Sequence, residues 1–446
     1  MSDICIMIRI VVRGSMKNNS IEIASIALAI GVALSGIAGY GVHHRTRKSG
    51  CRHACAQTCI DENLDSDNPL YYNAFSDFKQ TATTENIGLF SHAKSAYVMD
   101  FGSGTLVFQK ESLKRLPIAS MCKIMTLLLT FEAIDSGVIS FNDMVIVSEH
   151  AASMGGSQVF LEENAKYPVS ELIKSIVVCS ANDSCVAMAE KICGSDTIFV
   201  SKMNERAKEL GCENTLFSNC TGLPKEPQYS CAKDVAIMLK ALLSHEKYYE
   251  YAKTWTDVFQ HPEGRTTEIS NTNRLVRFYD GCDGGKTGFT NEAGYCLAAT
   301  AKRGDLRVIS VVIGEADSKT RFKEVSESFD YTFANYTVEK TLDSSKALSE
   351  LIPVSGGKEK TLPIRPIRDG YFFVKRGEKG KIHTEIEIAK SLKAPIKAGE
   401  EVGFARIFQD GVEYDCIPLV ATVDIDKASY FDLLKEISSD WNLCGW

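Results

Sequence analysis

Residues 116–137 read LPIASMCKIMTLLLTFEAIDSG. Pro117 stands just before a long apolar run that closes at Gly137, the start and stop marks of a helix. Ile124, Met125, Leu127, Leu128, Leu129, Phe131 and Ile134 cover most of its circumference. A helix that is apolar all round is a buried one. Ser120 and Lys123 stand at its start, and i, i+3 spacing puts them on one face within reach of each other. A serine hydroxyl is a poor nucleophile until a neighbouring base takes its proton. A lysine can be that base where burial or nearby cations disfavour its ammonium form. The helix N-terminus favours negative charge developing nearby. Alone, an S-x-x-K of this kind is common by chance.

Two further stretches give it company. Residues 172–194, LIKSIVVCSANDSCVAMAEKICG, are helical and apolar but interrupted by Ser180-Ala181-Asn182-Asp183. Polar residues inside such a run need partners. Residues 280–314, DGCDGGKTGFTNEAGYCLAATAKRGDLRVISVVIG, read as a strand and hairpin with Lys286-Thr287-Gly288 at the head. Arg303-Gly304-Asp305 makes the turn before the apolar strand Leu306 to Ile313. The glycine of K-T-G lets a substrate approach the strand backbone closely. Upstream, Ser95 to Met99 and Thr105 to Gln109 alternate around Phe101-Gly102-Ser103-Gly104, the pattern of a β-hairpin.

S-x-x-K, S-D-N and K-T-G form the signature of class A β-lactamases and penicillin-binding proteins, and here they stand in that order as S-M-C-K, S-A-N and K-T-G. The text between the motifs is more specific. PIASMCKIMTLLLTFEAI, VSEHAASMGGSQVFLEE, SANDSCVAMAE, FSNCTGLP, QYSCAKDVAIM and GGKTGFTNEAGYCLAATAKR resemble the low-molecular-weight penicillin-binding proteins, the serine D-alanyl-D-alanine carboxypeptidases of the type 5 class. The likeness covers about residues 93 to 424. It implies an α+β fold: a β-lactamase/transpeptidase-like domain, an antiparallel sheet flanked by helices, followed by a small all-β domain. It implies that Ser120 attacks the carbonyl between two terminal D-alanines and forms an acyl-enzyme, with Lys123 as base. Ser180 would relay the proton to the leaving D-alanine and Asn182 would hold the peptide backbone. Lys286, Thr287 and Gly288 would face the substrate, the first two at its terminal carboxylate. Backbone N–H groups of Ser120 and Phe289 would form the oxyanion hole, and Arg321, shortly after the strand ending near Gly314 that is read as the neighbour of the K-T-G strand, matches a family arginine near the carboxylate site. Peptidoglycan stem peptides and β-lactam antibiotics are the partners so implied, with no cofactor or metal. Ala181 departs from the glycine common inside the second motif, and Cys122 from a frequent threonine.

The expected organisation has five parts. Residues 1–50 are a signal or anchor segment, because Ile23 to Val42 holds no charge and its twenty residues in a helix span about 30 Å, enough to cross a bilayer. Cleavage after the small Ser35–Gly39 region and retention as an anchor both fit. Met16-Lys17 offers an alternative start. Residues 51–84 are a linker carrying Cys51, Cys55 and Cys59, a spacing for which a metal site lacks an evident fourth ligand. Residues 85–339 are the peptidase domain. In residues 340–424 Pro and Gly punctuate short alternating runs, the pattern of a small all-β domain. Residues 425–446 form an amphipathic helix, which in the family lies on the membrane. Its acidic face (Asp426, Asp432, Glu436, Asp440) weakens attraction to anionic lipid, and docking on its own protein is the competing reading.

Bulk properties narrow the field. A net charge of -7 over 446 residues argues against nucleic acid, whose phosphates need a basic surface. Fifteen cysteines, mostly dispersed in apolar runs, read as small core residues. Two rivals remain. A β-lactamase would need a glutamate-activated water, and no E-x-x-L-N pattern lies between Asn182 and Lys286. A catalytically silent peptidoglycan-binding protein is hard to reconcile with intact Ser120, Lys123 and Lys286.

Overall fold

The computed structural model describes residues 88–378, 382–409 and 411–432. The expected signal or anchor, the Cys51–Cys59 linker and all but the start of the terminal helix lie outside them. Among the described residues no helix is long and apolar enough to cross a membrane.

The first hairpin forms as its alternation requires. Strand β1 (Ser95–Asp100) pairs antiparallel with β2 (Leu106–Lys110). Asp100 closes the turn, accepting the Ser103 N–H at 2.6 Å and its hydroxyl at 2.7 Å. A short 3-10 turn, Ala119–Cys122, leads into helix α1 (Lys123–Asp135). Every residue from Lys123 to Phe131 in that helix is buried, as its all-round apolar sequence demands. Helix α2 (Val169–Val178) and helix α3 (Asn182–Cys193) are separated by Cys179-Ser180-Ala181. Helix α4 (Asp196–Glu209) and helix α5 (Ala232–Leu242) complete the helical layer around α1.

The long hairpin follows: β3 (Cys282–Thr290), β4 (Gly294–Arg303) and β5 (Leu306–Glu315), then helix α6 (Ser318–Asn335). The five-stranded antiparallel sheet runs β2-β1-β5-β4-β3, so β3 is an edge strand. Two differences from the sequence reading matter. Lys286-Thr287-Gly288 sits in the second half of β3, because Gly284 and Gly285 allow the strand to begin earlier with a register shift after Cys282. And β5, which leads to Arg321, is not the neighbour of β3: β4 lies between them.

Alternation along the strands makes two cores. Tyr97, Met99, Ile309, Val311 and Ile313 face the helical layer around α1. Val98, Leu297, Ala299, Val308 and Val312 face α6 and meet Val325 and Phe329. Removing a buried aromatic such as Phe329 would cost about 3–5 kcal/mol.

From Tyr336 the chain is β-rich. β6 (Tyr336–Leu342) follows α6 without a break, so the boundary expected after residue 339 falls inside a strand. β7 (Leu351–Ser355), β8 (Thr361–Pro366), β9 (Gly370–Lys375), β10 (Ile382–Ile388), β11 (Leu392–Lys393), β12 (Glu401–Gln409) and β13 (Val412–Ala421) follow. β6 pairs with β9, and the other six form one sheet in the order β10-β12-β13-β8-β7-β11. They enclose a separate core that includes Ile352, Ile364, Phe372, Ile407 and Leu419. The β-rich part touches the first hairpin, where the Tyr414 hydroxyl lies 2.9 Å from Thr105 Oγ1.

Candidate active site

The turn before α1 sets Ser120. Ala119 takes φ 48°, a conformation that costs a residue with a Cβ about 1–3 kcal/mol and persists only where the surroundings enforce it. Two glycines supply that enforcement by letting backbone come close. A Cβ on Gly222 (φ 81°) would lie 2.0 Å from the Ala119 carbonyl oxygen and 2.9 Å from Ser120 N. A Cβ on Gly288 would lie 2.6 Å from the Ile118 carbonyl oxygen. The half-buried Ser120 is thus gripped between the loop at 219–222 and strand β3. Gly222→Ala is expected to lower the thermal unfolding midpoint, since overpacking costs about 1–3 kcal/mol. It should also slow acylation of Ser120 by penicillin at least tenfold, by roughly the same energy. Unchanged melting and unchanged acylation would remove this account of how the serine is held.

Lys123, the first residue of α1, is fully buried. Its Nζ lies 3.0 Å from Ser120 Oγ and donates to the Thr221 carbonyl at 2.6 Å. Burial pushes its pKa below the ordinary lysine value, and neighbouring thiols oppose that push. The opposition is weak at neutral pH, because burial holds the Cys122 and Cys185 thiols neutral, with pKa values near 12. Lys286 is buried as well, and its pKa is driven well down by burial and then by the charge of Lys123. Burial thus disfavours the ammonium form at both lysines, and the like charge of Lys123 adds to that at Lys286. An amine placed beside a serine hydroxyl can take its proton when it is neutral.

The second motif lies against the same lysines. Cys185, three residues after Asn182, is within electrostatic reach of both Lys123 and Lys286. Ser180 occupies the break between α2 and α3 with φ 66°, and its buried hydroxyl has no hydrogen-bond partner. The Asn182 side chain donates to the Gly155 carbonyl at 2.7 Å, while its Oδ1 has no partner. Buried polar groups without partners are rare in a folded core. Two of them two residues apart, at a break between helices, suit a site that receives a polar ligand. Thr287 Oγ1 meets Thr272 Oγ1 at 2.8 Å. Phe289 is half exposed, and its ring packs tilted against that of Tyr295 across the hairpin, with 4.4 Å between centroids. Arg321 is buried in α6 and donates to the carbonyls of Gly288 (3.3 Å) and Cys296 (3.1 Å). Burial lowers its pKa to about 10, so it stays charged at neutral pH.

Residues 79–317 match the D-alanyl-D-alanine carboxypeptidase family, and residues 336–427 match the penicillin-binding protein 5 C-terminal domain. The chain belongs to the D-alanyl-D-alanine carboxypeptidase family. It is a serine hydrolase fold with the family's β-rich C-terminal part. It is 41% identical over 350 residues to D-alanyl-D-alanine carboxypeptidase DacF of Bacillus subtilis, covering 78% of this chain and 90% of that one. Its structure resembles penicillin-binding protein 5 of Haemophilus influenzae, with TM-score 0.61 and 29% identity over 75% of this chain and 98% of the other. It also resembles penicillin-binding protein D2 of Listeria monocytogenes, solved with ampicillin bound, with TM-score 0.50 and 30% identity over 55% and 98% of the two chains.

Three members of this carboxypeptidase site were not singled out from sequence. Thr221 holds Lys123 through its carbonyl. Gly222 admits the close approach to Ser120. The signal was present in FSNCTGLP, where Asn219 Oδ1 accepts the N–H groups of Thr221 (3.1 Å) and Gly222 (2.7 Å), an Asx turn. Asp183 is the third. Its buried carboxylate accepts N–H groups of Val159 (3.0 Å), Leu161 (3.1 Å) and Ser184 (2.8 Å). Burial lifts its pKa although those bonds oppose the rise. With Asn182, it fastens the 155–161 loop to the head of α3.

Proposed function

We propose that this chain removes the terminal D-alanine from peptidoglycan stem pentapeptides through an acyl-enzyme on Ser120. The observation that carries the reading is the fully buried Lys123 amine 3.0 Å from the Ser120 hydroxyl. Lys123 takes the hydroxyl proton as Oγ attacks the carbonyl between the two D-alanines. General base catalysis of this kind is worth about 10²–10⁴ in rate. The backbone N–H groups of Ser120 and Phe289 receive the developing oxyanion, a term worth about 10²–10³ for one donor. Ser180 passes the proton to the leaving D-alanine nitrogen, and the bond to that nitrogen breaks. Water then hydrolyses the ester and frees Ser120. Asn182 holds the stem-peptide backbone, and Lys286 and Thr287, with Arg321 behind the strand, receive the terminal carboxylate. Gly288 lets the strand and Ser120 meet. β-Lactam antibiotics acylate the same serine.

The organisation supports a cell-wall location. Residues 85–339 carry the chemistry, residues 340–424 hold it off a surface, and the charge-free Ile23–Val42 segment exports the chain to the outer face of the cell membrane. The segment ending at 446 adds a second membrane contact.

A charged hydrogen bond to a carboxylate is worth about 1.5–3 kcal/mol, so losing one lowers kcat/KM roughly tenfold to a hundredfold. The native protein is therefore expected to release D-alanine from a D-Ala-D-Ala peptide acid far faster than to cleave the corresponding amide. Arg321→Ala should narrow that gap. Equal cleavage of acid and amide by the native protein would contradict the carboxypeptidase reading while leaving Ser120 as nucleophile.

A further inference from the structure

The loop that carries the partners of Asn182 is held from two sides. On the inner side, the Asn182 N–H donates to the Ser157 carbonyl at 2.7 Å and its side chain to the Gly155 carbonyl at 2.7 Å. A Cβ on Gly156 would lie 2.8 Å from Asn182 Nδ2, so the loop backbone is pressed against that amide. Further along, Asp183 accepts the N–H groups of Val159 and Leu161, and both of those side chains are buried. Phe160 between them turns outward: it is 57% exposed and takes φ 62°. A bulky side chain in that region of φ is rare and persists only where the surroundings enforce it.

The enforcement comes from the outer side. An antiparallel hairpin pairs Thr256–Gln260 with Thr266–Ser270, and Arg265 stands just before its second strand. Arg265 Nη2 donates to the Phe160 carbonyl at 2.6 Å, and its Nε donates to Glu162 Oε1 at 2.8 Å. Nη2 also lies 2.7 Å from Nδ1 of His261. A guanidinium only donates, so this ring nitrogen accepts, and the imidazole carries its hydrogen on Nε2, 2.9 Å from Thr267 Oγ1. His261 is buried, and its ring packs edge-on to Tyr167 and Phe259. Burial and the charge of Arg265 lower its pKa, which keeps the acceptor free at neutral pH. Tyr167, whose hydroxyl lies 3.0 Å from the same Nδ1, accepts the Glu162 N–H at 3.3 Å. Residues 159–162 are therefore bonded to the head of α3 on one face and to the hairpin on the other.

We propose that Arg265 is a positioning residue for the reaction on Ser120: it locks the outward turn at Phe160, and that turn keeps the 155–157 backbone in place to aim Asn182 at the substrate amide. The proposal rests on the assignment of Asn182 to the substrate backbone. Arg265 acts through the loop and touches no substrate. Among the described residues the Gly155 carbonyl is the one hydrogen-bond partner of the Asn182 side chain, since its Oδ1 has none. A shift of the loop thus re-aims the amide directly. An exposed ion pair by itself contributes little. Here one guanidinium joins a carboxylate to a backbone carbonyl and to an imidazole fixed in the core, so its loss frees the whole turn.

The test compares native protein with Arg265→Ala, Phe160→Gly and the double variant, with Asn182→Ala as reference. One readout is hydrogen exchange of the amides in residues 155–162. The other is the rate at which two β-lactams acylate Ser120: benzylpenicillin, which carries a side-chain amide for Asn182 to hold, and 6-aminopenicillanic acid, which lacks it. The Arg265 side chain is 41% exposed, and Arg265→Ala should melt close to the native protein. Its exchange in 155–162 should quicken roughly tenfold. Its acylation by benzylpenicillin should fall about tenfold, the size of one lost charge-assisted hydrogen bond. Acylation by 6-aminopenicillanic acid should keep the native rate. Glycine adopts positive φ without strain, so in the Phe160→Gly background the loss of Arg265 should cost less than about threefold. Unchanged exchange in Arg265→Ala overturns the clamp. Faster exchange with both β-lactams slowed alike, or with neither slowed, overturns the route through Asn182. An equal loss with and without Phe160→Gly overturns the role of the strained turn. An Asn182→Ala protein that slows both β-lactams alike would instead refute the assignment of Asn182, and the exchange rates would still decide the clamp.

Discussion

Ser120→Ala is expected to abolish both covalent labelling by penicillin and release of D-alanine. No other hydroxyl among the described residues shares the Lys123 amine: its hydrogen bonds go to Ser120 Oγ and to the Thr221 carbonyl. The Ser180 hydroxyl is the nearest alternative by sequence motif, yet it makes no hydrogen bond to a base. A serine without an adjacent base is a weak nucleophile. Removing Oγ should therefore take away the reaction, while the buried framework of α1 stays intact. The variant should melt close to the native protein, since Ser120 is half-buried and the turn is held by its backbone. Labelling that persists in a folded Ser120→Ala protein would move the nucleophile elsewhere.

Lys123→Arg should be nearly as damaging by a different route. The guanidinium keeps a positive charge and hydrogen-bond donors but does not readily deprotonate. Acylation should fall by about 10²–10⁴, the usual worth of a general base. The native pH profile supplies the control. Burial lowers the Lys123 pKa, so the neutral base is populated below the ordinary lysine range. Acylation should rise with pH as that proton leaves, with a midpoint below 10.5. In Lys123→Arg the rise should vanish. A variant that acylates at a near-native rate would place the base on another residue.

Much of this site was legible in sequence because its chemistry is local. Ser120 and Lys123 share one helical turn, and the unbroken apolar run around them announces burial without any knowledge of neighbours. The strands from Leu306 and through K-T-G were readable from alternation and the Arg303-Gly304-Asp305 turn. What stayed hidden depends on distant chain coming together. Gly222 reads as an ordinary turn glycine until Ala119, about a hundred residues earlier, is seen against it. Asp183 reads as one more polar residue until the N–H groups of Val159 and Leu161 are found on it. Strand order is of the same kind: sequence placed Arg321 after a strand but could not say that β4 separates that strand from β3.

The identity of the acylated residue tests Ser120 as nucleophile most directly. Native protein incubated with penicillin, then analysed by intact mass and by peptide mapping, should gain one penicilloyl group. The adduct should fall on the peptide that contains Ser120, and be missing from Ser120→Ala. An adduct on another serine, or a folded native protein that gains no mass, would contradict the central claim.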